Sequence, residues 1–345
     1  MTAPRRDTVL SANGRALFVL LSALMVLSIA GCSDDGDEDL VQREDLRAAF
    51  DLRTVSAVPY PPDNPPIAER VELGRLLFFD PILSGPDNIS CGTCHHPAFA
   101  WADGSEFSVG MSGEVPGIGP TGVGPERVLT DPFNFITTPR NSPTCINSGC
   151  SSQPDGEPHY LGTQFWDGRA DGLEEQAKLP IESFDEMRGF DYVARDAMER
   201  VLEDLQGIPE YTQLFRGAFP EEAAEMDAFP ERHVIREDTY ARAIAAYERE
   251  LISVNSPYDT YVRGDDWALV EDQFEGMRLF FEKAQCGSCH HGPMLSSYEY
   301  AVTGVAQAGP GRDPAVRGGD GKDWGREEHT DDPFDEYAFR VPTLR

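Results

Sequence analysis

Cys91-Gly92-Thr93-Cys94-His95 and Cys286-Gly287-Ser288-Cys289-His290 repeat one pattern, CxxCH, and it constrains this 345-residue chain more than any other feature. Cysteines three apart share one turn of helix and can reach the two vinyl groups of a porphyrin, while the following histidine falls beneath the iron. This is the spacing of covalent c-type haem attachment. A zinc site made of two CxxC pairs is the competing reading. Its usual intervening loop is about 12–20 residues, and zinc gives no reason for a histidine after both pairs. Cys94 and Cys286 are nearly two hundred residues apart. Two haem c groups are therefore expected, one on Cys91, Cys94 and His95 and one on Cys286, Cys289 and His290. His96 and His291 cannot turn back to the same irons and read as surface or packing residues.

The N-terminus carries an export pattern. Arg5, Arg6 and Arg15 precede an apolar run from Ala16 to Ala30, which suits a signal-peptide core and is short for a membrane span. Ile29-Ala30-Gly31-Cys32 resembles the lipobox of bacterial lipoproteins, so residues 1–31 read as a signal peptide and Cys32 as the lipidated residue. A conventional signal followed by a chance cysteine is the alternative. The expected location is the periplasmic side of the envelope, lipid-anchored. Residues 32–59 read as an acidic, proline-containing tether, opening with Ser33-Asp34-Asp35-Gly36-Asp37-Glu38-Asp39. The whole chain has 29 Lys+Arg against 60 Asp+Glu, a net charge of −31. Such a chain repels phosphate backbones and anionic lipid surfaces, which excludes nucleic acid as a partner and leaves membrane association to the lipid anchor.

Beyond the tether the clear periodicity is helical. Val71, Leu73, Leu76, Leu77 and Phe79 precede the first CxxCH; Met198, Val201, Leu202 and Leu205 stop at Gly207; Tyr240, Ala243, Ile244, Tyr247 and Leu251 recur at threes and fours; Phe274, Met277, Leu279 and Phe281 do so in outline. Stretches 103–165 and 303–338, rich in Gly, Pro and Asp, read as long loops. The expected fold is mainly α, with two cytochrome-c-like haem domains and long irregular loops. The domains are placed at 60–255 and 256–345.

Further segments extend the pattern: Asn64-Pro65-Pro66, the run Val71 to Asp80, Phe165-Trp166-Asp167-Gly168-Arg169, Leu173-Glu174-Glu175-Gln176-Ala177, Ala243 to Arg249, and Gly276 through the second CxxCH to Gly292-Pro293. Together they resemble the bacterial di-haem cytochrome c peroxidase and MauG family over about residues 60–345. The resemblance implies that Trp166 relays electrons between the haems. It also implies that Gln176, Pro180 and Glu186, which follow Trp166 at ten, fourteen and twenty residues, line the pocket of the haem at His95. A buried carboxylate there can both take and return a proton, which suits Glu186 to peroxide cleavage. The implied activity is reduction of hydrogen peroxide to water, with electrons from a small periplasmic cytochrome c or cupredoxin, and the acidic surface favours a basic donor. The resemblance leaves room for a homodimer. Two alternatives stay open: a MauG-like enzyme that oxidises side chains of a partner protein, and a non-catalytic di-haem electron carrier.

The sequence also departs from that family. Where its well-studied peroxidases carry a distal His after the first CxxCH, this chain has Met111; either the iron is open and Met111 an apolar filler, the preferred reading, or Met111 caps it weakly. A long insertion holds Cys145 and Cys150, most simply a disulfide in an exported protein, against free thiols or a metal. Asn147 matches the family's calcium-binding Asn. The sequence ends at Arg345, where family members continue, which reads as a truncated second domain. Met294, five residues after His290, is a poor substitute for the sixth ligand expected beyond that point.

Overall fold

The computed structural model describes residues 43, 46–55, 57–111, 113–120, 122–129, 137–152, 157–307 and 321–345. The expected signal peptide and Cys32 lie outside them. No helix among the described residues is long and apolar enough to cross a membrane.

The first helix, α1 (Ala68–Phe79), buries Leu73, Gly74, Leu77 and Phe78, a stripe at steps of one, three and one. It ends at Asp80, whose carboxylate accepts from the Ile82 amide at 3.0 Å and turns the chain into Pro81. A short helix, α2 (Cys91–Cys94), carries the first haem motif. After the long loop come α3 (Leu173–Gln176), α4 (Leu179–Glu182), α5 (Ala197–Gln206), α6 (Pro209–Ala218), α7 (Pro220–Ala228) and α8 (Glu237–Glu248). The small residues Ala243 and Ala246 narrow one face of α8, and α1 lies against that helix. The crossing is tight enough that a Cβ on Gly74 would stand 1.9 Å from the Ala243 carbonyl oxygen. Leu205, Phe215 and Ile235 from the later segments close this core around Leu77, Phe78 and Ile244. Each such aliphatic or aromatic side chain contributes about 1.5–3 kcal/mol by leaving water.

A second, smaller core forms where α9 (Pro257–Val262) and α10 (Glu271–Arg278) bring together Tyr261, Leu269, Phe274 and Met277. A single helical turn, α11 (Glu327–Thr330), follows. Strands are short antiparallel pairs: β1 (Gly113–Glu114) with β2 (Val128–Leu129), β3 (Thr163–Gln164) with β4 (Ala170–Asp171), and β5 (Tyr300–Ala301) with β6 (Phe339–Arg340). The mainly helical expectation holds, and among their described residues the stretches read as long loops contain only such pairs and single turns.

The segment expected to be a free tether departs from that reading over its described part. Arg43 is buried and donates to the carbonyls of Asp266 and Leu269 at 2.9 and 3.0 Å and to Glu271 at 2.7 Å. Leu46 and Leu52 pack on the second core, and the Phe50 ring stacks on Phe281 at 4.9 Å. Leu46 and Phe50 are spaced for one helical face, and with Leu52 they outweigh the charges between them once a partner surface exists. At the other end, the Arg340 amide donates to the Trp166 carbonyl at 2.7 Å, so the last residues run back against the first domain.

Candidate haem and peroxide site

The first motif opens onto a cavity of about 440 Å3 lined by Cys91, Cys94 and His95, with Gln176, Pro180, Glu186 and Trp166 on its walls. The tertiary fold thus gathers every pocket residue that the resemblance implied.

His95 is set by its backbone neighbourhood. Its Nδ1 lies 3.0 Å from the Trp101 carbonyl oxygen. That oxygen can only accept, so Nδ1 carries the proton and Nε2 keeps its lone pair for a metal. Desolvation pulls the ring below the ordinary imidazole range, which favours the neutral form a metal needs. The second motif repeats the device, with His290 Nδ1 3.0 Å from the Leu295 carbonyl oxygen. Both motifs also pack a phenyl ring against their glycine: a Cβ on Gly92 would lie 2.4 Å from Phe79, and one on Gly287 would lie 2.4 Å from Phe281.

Phe165-Trp166-Asp167-Gly168-Arg169 forms the tip of the β3–β4 hairpin. Phe165 and Gly168 take left-handed φ of 63° and 70°, and a Cβ on Gly168 would collide with the Tyr300 hydroxyl. The Trp166 indole N–H donates to the Asn141 carbonyl at 2.9 Å. Desolvation would raise the Asp167 carboxyl, but Arg169 and Arg140 outweigh it and hold the group below its usual range. Arg140 also pairs with Asp323 at 2.7 Å, tying the tip to the chain beyond the second motif.

Gln176 ends α3, and its Oε1 is buried without a hydrogen-bond partner. An orphaned buried acceptor is costly unless a bound molecule satisfies it. Pro180 stands in the first turn of α4, where no backbone N–H is needed. Glu186 is presented by a π-helical turn, Phe184–Arg188, a distortion that often marks functional positions. Desolvation raises its carboxyl above the ordinary range, Arg169 opposes that, Asp185 adds to it, and a Ser183 hydrogen bond opposes it. Gly110 packs directly on this turn: a Cβ there would be 2.1 Å from the Asp185 carbonyl oxygen.

Two thiols at the right spacing, an imidazole whose Nδ1 is already held by the backbone, a cavity beside them and an unsatisfied acceptor fit a covalently attached haem at His95. The second motif has the same donor set; its Cys289 is exposed and Cys286 half-buried.

Other expectations resolve differently. Cys145 and Cys150 are both free thiols, so the expected disulfide is absent. Cys145 packs in the first core, whereas Cys150 packs with Met294 and Tyr298, and the loop between them directs the two apart. Met294 is wholly buried in that cluster. Met111 is buried in the first core, its sulfur seated where a Cβ of Gly189 would be, and it does not line the cavity. Asn147 uses both ends of its side chain on Ser253, accepting from the amide at 2.8 Å and donating to the carbonyl at 3.1 Å. Among the described residues no cluster of three or more acidic, His or Cys side chains accompanies it. His96 caps the Pro97–Phe99 turn as a packing residue. The sequence reading gave no role to Glu248, a buried carboxyl on the cavity wall; it lay inside the Ala243–Arg249 segment with nothing to distinguish it from the other acids.

The arrangement is that of a helical protein with two c-type haem sites, one of them facing an acid-bearing cavity. The chain belongs to the di-haem cytochrome c peroxidase family, whose model matches residues 68–267. It is 32% identical to the methylamine utilization protein MauG of Methylorubrum extorquens, over 96% of this chain and 76% of that protein. It is 35% identical to the cytochrome c551 peroxidase of Pseudomonas aeruginosa, over 81% of this chain and 66% of that one. Among solved structures, a MauG-like protein associated with microbial copper homeostasis superposes with a TM-score of 0.59 at 27% identity, covering 86% of this chain and 75% of the other. A diheme peroxidase from Burkholderia thailandensis shares the fold, with a TM-score of 0.58 at 23% identity over 85% of this chain and 72% of that one.

Proposed function

We propose that the protein reduces hydrogen peroxide to water at the cavity of His95, using electrons that enter through the haem site of His290. The observation that carries this reading is the convergence of His95, Gln176 and Glu186 on one cavity. Haem, when bound, supplies the iron at which the peroxide O–O bond breaks. The Glu186 carboxylate takes the proton from the inner peroxide oxygen and delivers it to the outer one, which leaves as water; transfers of this kind are worth about 100- to 10,000-fold. Gln176 Oε1 accepts a hydrogen bond from the substrate and orients it. Two protons and two electrons complete the conversion to two waters. Trp166, at a hairpin tip pinned by Arg340, is the relay between the sites. The donor is a small periplasmic cytochrome c or cupredoxin with a basic face, drawn by the net charge of −31. The chain acts on the periplasmic side, anchored through lipidated Cys32.

The relation to MauG supports a second reading, in which the same site oxidises side chains of a partner protein. Adding peroxide to the ferric holoprotein, with reduced small cytochrome c present, separates the two. Consumption of the cytochrome at a rate that depends on peroxide supports the peroxidase. A peroxide-induced change in haem absorbance without cytochrome oxidation supports the modifying enzyme, and no spectral response overturns both.

A further inference from the structure

Glu248 closes α8 with its side chain 5% exposed, on the wall of the cavity that also holds His95 and Glu186. Its sequence neighbour cannot neutralise it. The Arg249 guanidinium donates to both oxygens of Glu174, at 2.6 and 2.8 Å, and Asn64 adds a third hydrogen bond to that carboxylate at 2.7 Å. No Lys, Arg or His ion-pairs with Glu248 among the described residues. The titratable groups near it are Cys91 of the haem motif, Cys145 of the following loop, Tyr240 and Tyr247 of its own helix, and the Arg249–Glu174 pair. The thiols and phenols are neutral, and the pair is charge-balanced. A carboxylate at this position would therefore be an uncompensated buried charge.

We infer that Glu248 is a redox-linked proton acceptor: when an electron arrives at the site of His95, Glu248 takes one proton from solvent and becomes a carboxylic acid, and it returns that proton when the electron leaves. The inference rests on the haem-binding reading of this cavity. The balance is one electron in, one proton in, and no net change in the charge of the cavity. Desolvation, partly opposed by Arg249, lifts the Glu248 carboxyl to about 8, into the range where a neighbouring charge decides its state. A unit charge about 10 Å away, at an effective dielectric constant of about 20, alters proton affinity by about tenfold or more. Glu186 lies on the same cavity but faces Arg169, so the two acids answer to different surroundings.

The test is the midpoint potential of the His95 haem in the full-length holoprotein, measured electrochemically across pH. In the wild type it should fall as pH rises, by up to about 59 mV for each tenfold drop in proton concentration. Glu248→Gln should flatten the slope, while Met111→Leu, whose side chain packs outside the cavity, should retain it. A wild type without slope, or a slope unchanged in Glu248→Gln, overturns the inference. Should Glu248→Gln not fold, the reduced-minus-oxidised infrared spectrum of the wild type decides: a deuterium-sensitive carboxylic-acid C=O band gained on reduction is expected, and its absence overturns the inference. A chain whose absorbance shows haem only at His290 overturns both the inference and the reading beneath it.

Discussion

The Nδ1 of His95 and the carbonyl oxygen of Trp101 stand 3.0 Å apart, and this one contact sets the tautomer of the ring before any haem is present. The loop from His95 to Trp101 thus acts as a jig for the ligand, and the His290–Leu295 loop does the same. In each motif a phenyl group lies against the glycine, Phe79 on Gly92 and Phe281 on Gly287. Gly92→Ala and Gly287→Ala should therefore each lower haem attachment at their own site alone. Haem content per chain, read from the pyridine haemochrome spectrum, should fall towards one in either variant; two haems in both would contradict the packing argument.

Glu186→Gln should lower peroxide turnover by about 100- to 10,000-fold while both haems stay attached. Because desolvation raises this carboxyl, the base form is lost on acidification at a higher pH than an ordinary glutamate would require. Wild-type kcat should accordingly decline on the acid side above the usual carboxylate range, and a profile flat down to pH 4 would remove Glu186 from the role.

Gly110 fixes how closely the loop of Met111 approaches the Glu186 turn. Gly110→Ala should cost about 1–3 kcal/mol by overpacking and should lower turnover through displacement of that turn. Met111→Leu, in contrast, should leave the ferric haem spectrum and turnover within about twofold of wild type, since its sulfur packs on Gly189 outside the cavity. A spectral change on Met111→Leu would mean that the thioether reaches the iron.

Glu174→Gln would leave Arg249, 1% exposed, without its carboxylate. Breaking a buried pair from one side costs about 3–5 kcal/mol, and denaturant titration should show a loss of that order. An unchanged midpoint would show that Arg249 finds another partner.

Glu248 gives a pH dependence of stability. Its folded-state pKa of about 8 exceeds the unfolded value, so the folded chain binds the extra proton between the two. Stability should fall as pH rises from about 4.5 to 8, and Glu248→Gln should flatten that fall. An equally steep fall in the variant would assign it to other groups.

Short-range chemistry in this chain was legible without a fold. Two CxxCH motifs state their cofactor because attachment needs only five consecutive residues, and α1, α5 and α8 announce themselves because a buried helical face repeats every three to four positions. The spacing from Trp166 to Glu186 was legible through family resemblance. What remained hidden was contact between distant segments. The docking of Arg43 and Phe50 onto the second core, the separation of Cys145 from Cys150, the return of Arg340 to Trp166 and the lack of an ion pair to Glu248 among the described residues all depend on which surfaces meet. A sequence lists charges and thiols but not their neighbours. Desolvation and pairing are properties of the folded environment, so only the tertiary structure decided which acid is pushed above its ordinary range and which cysteine stays free.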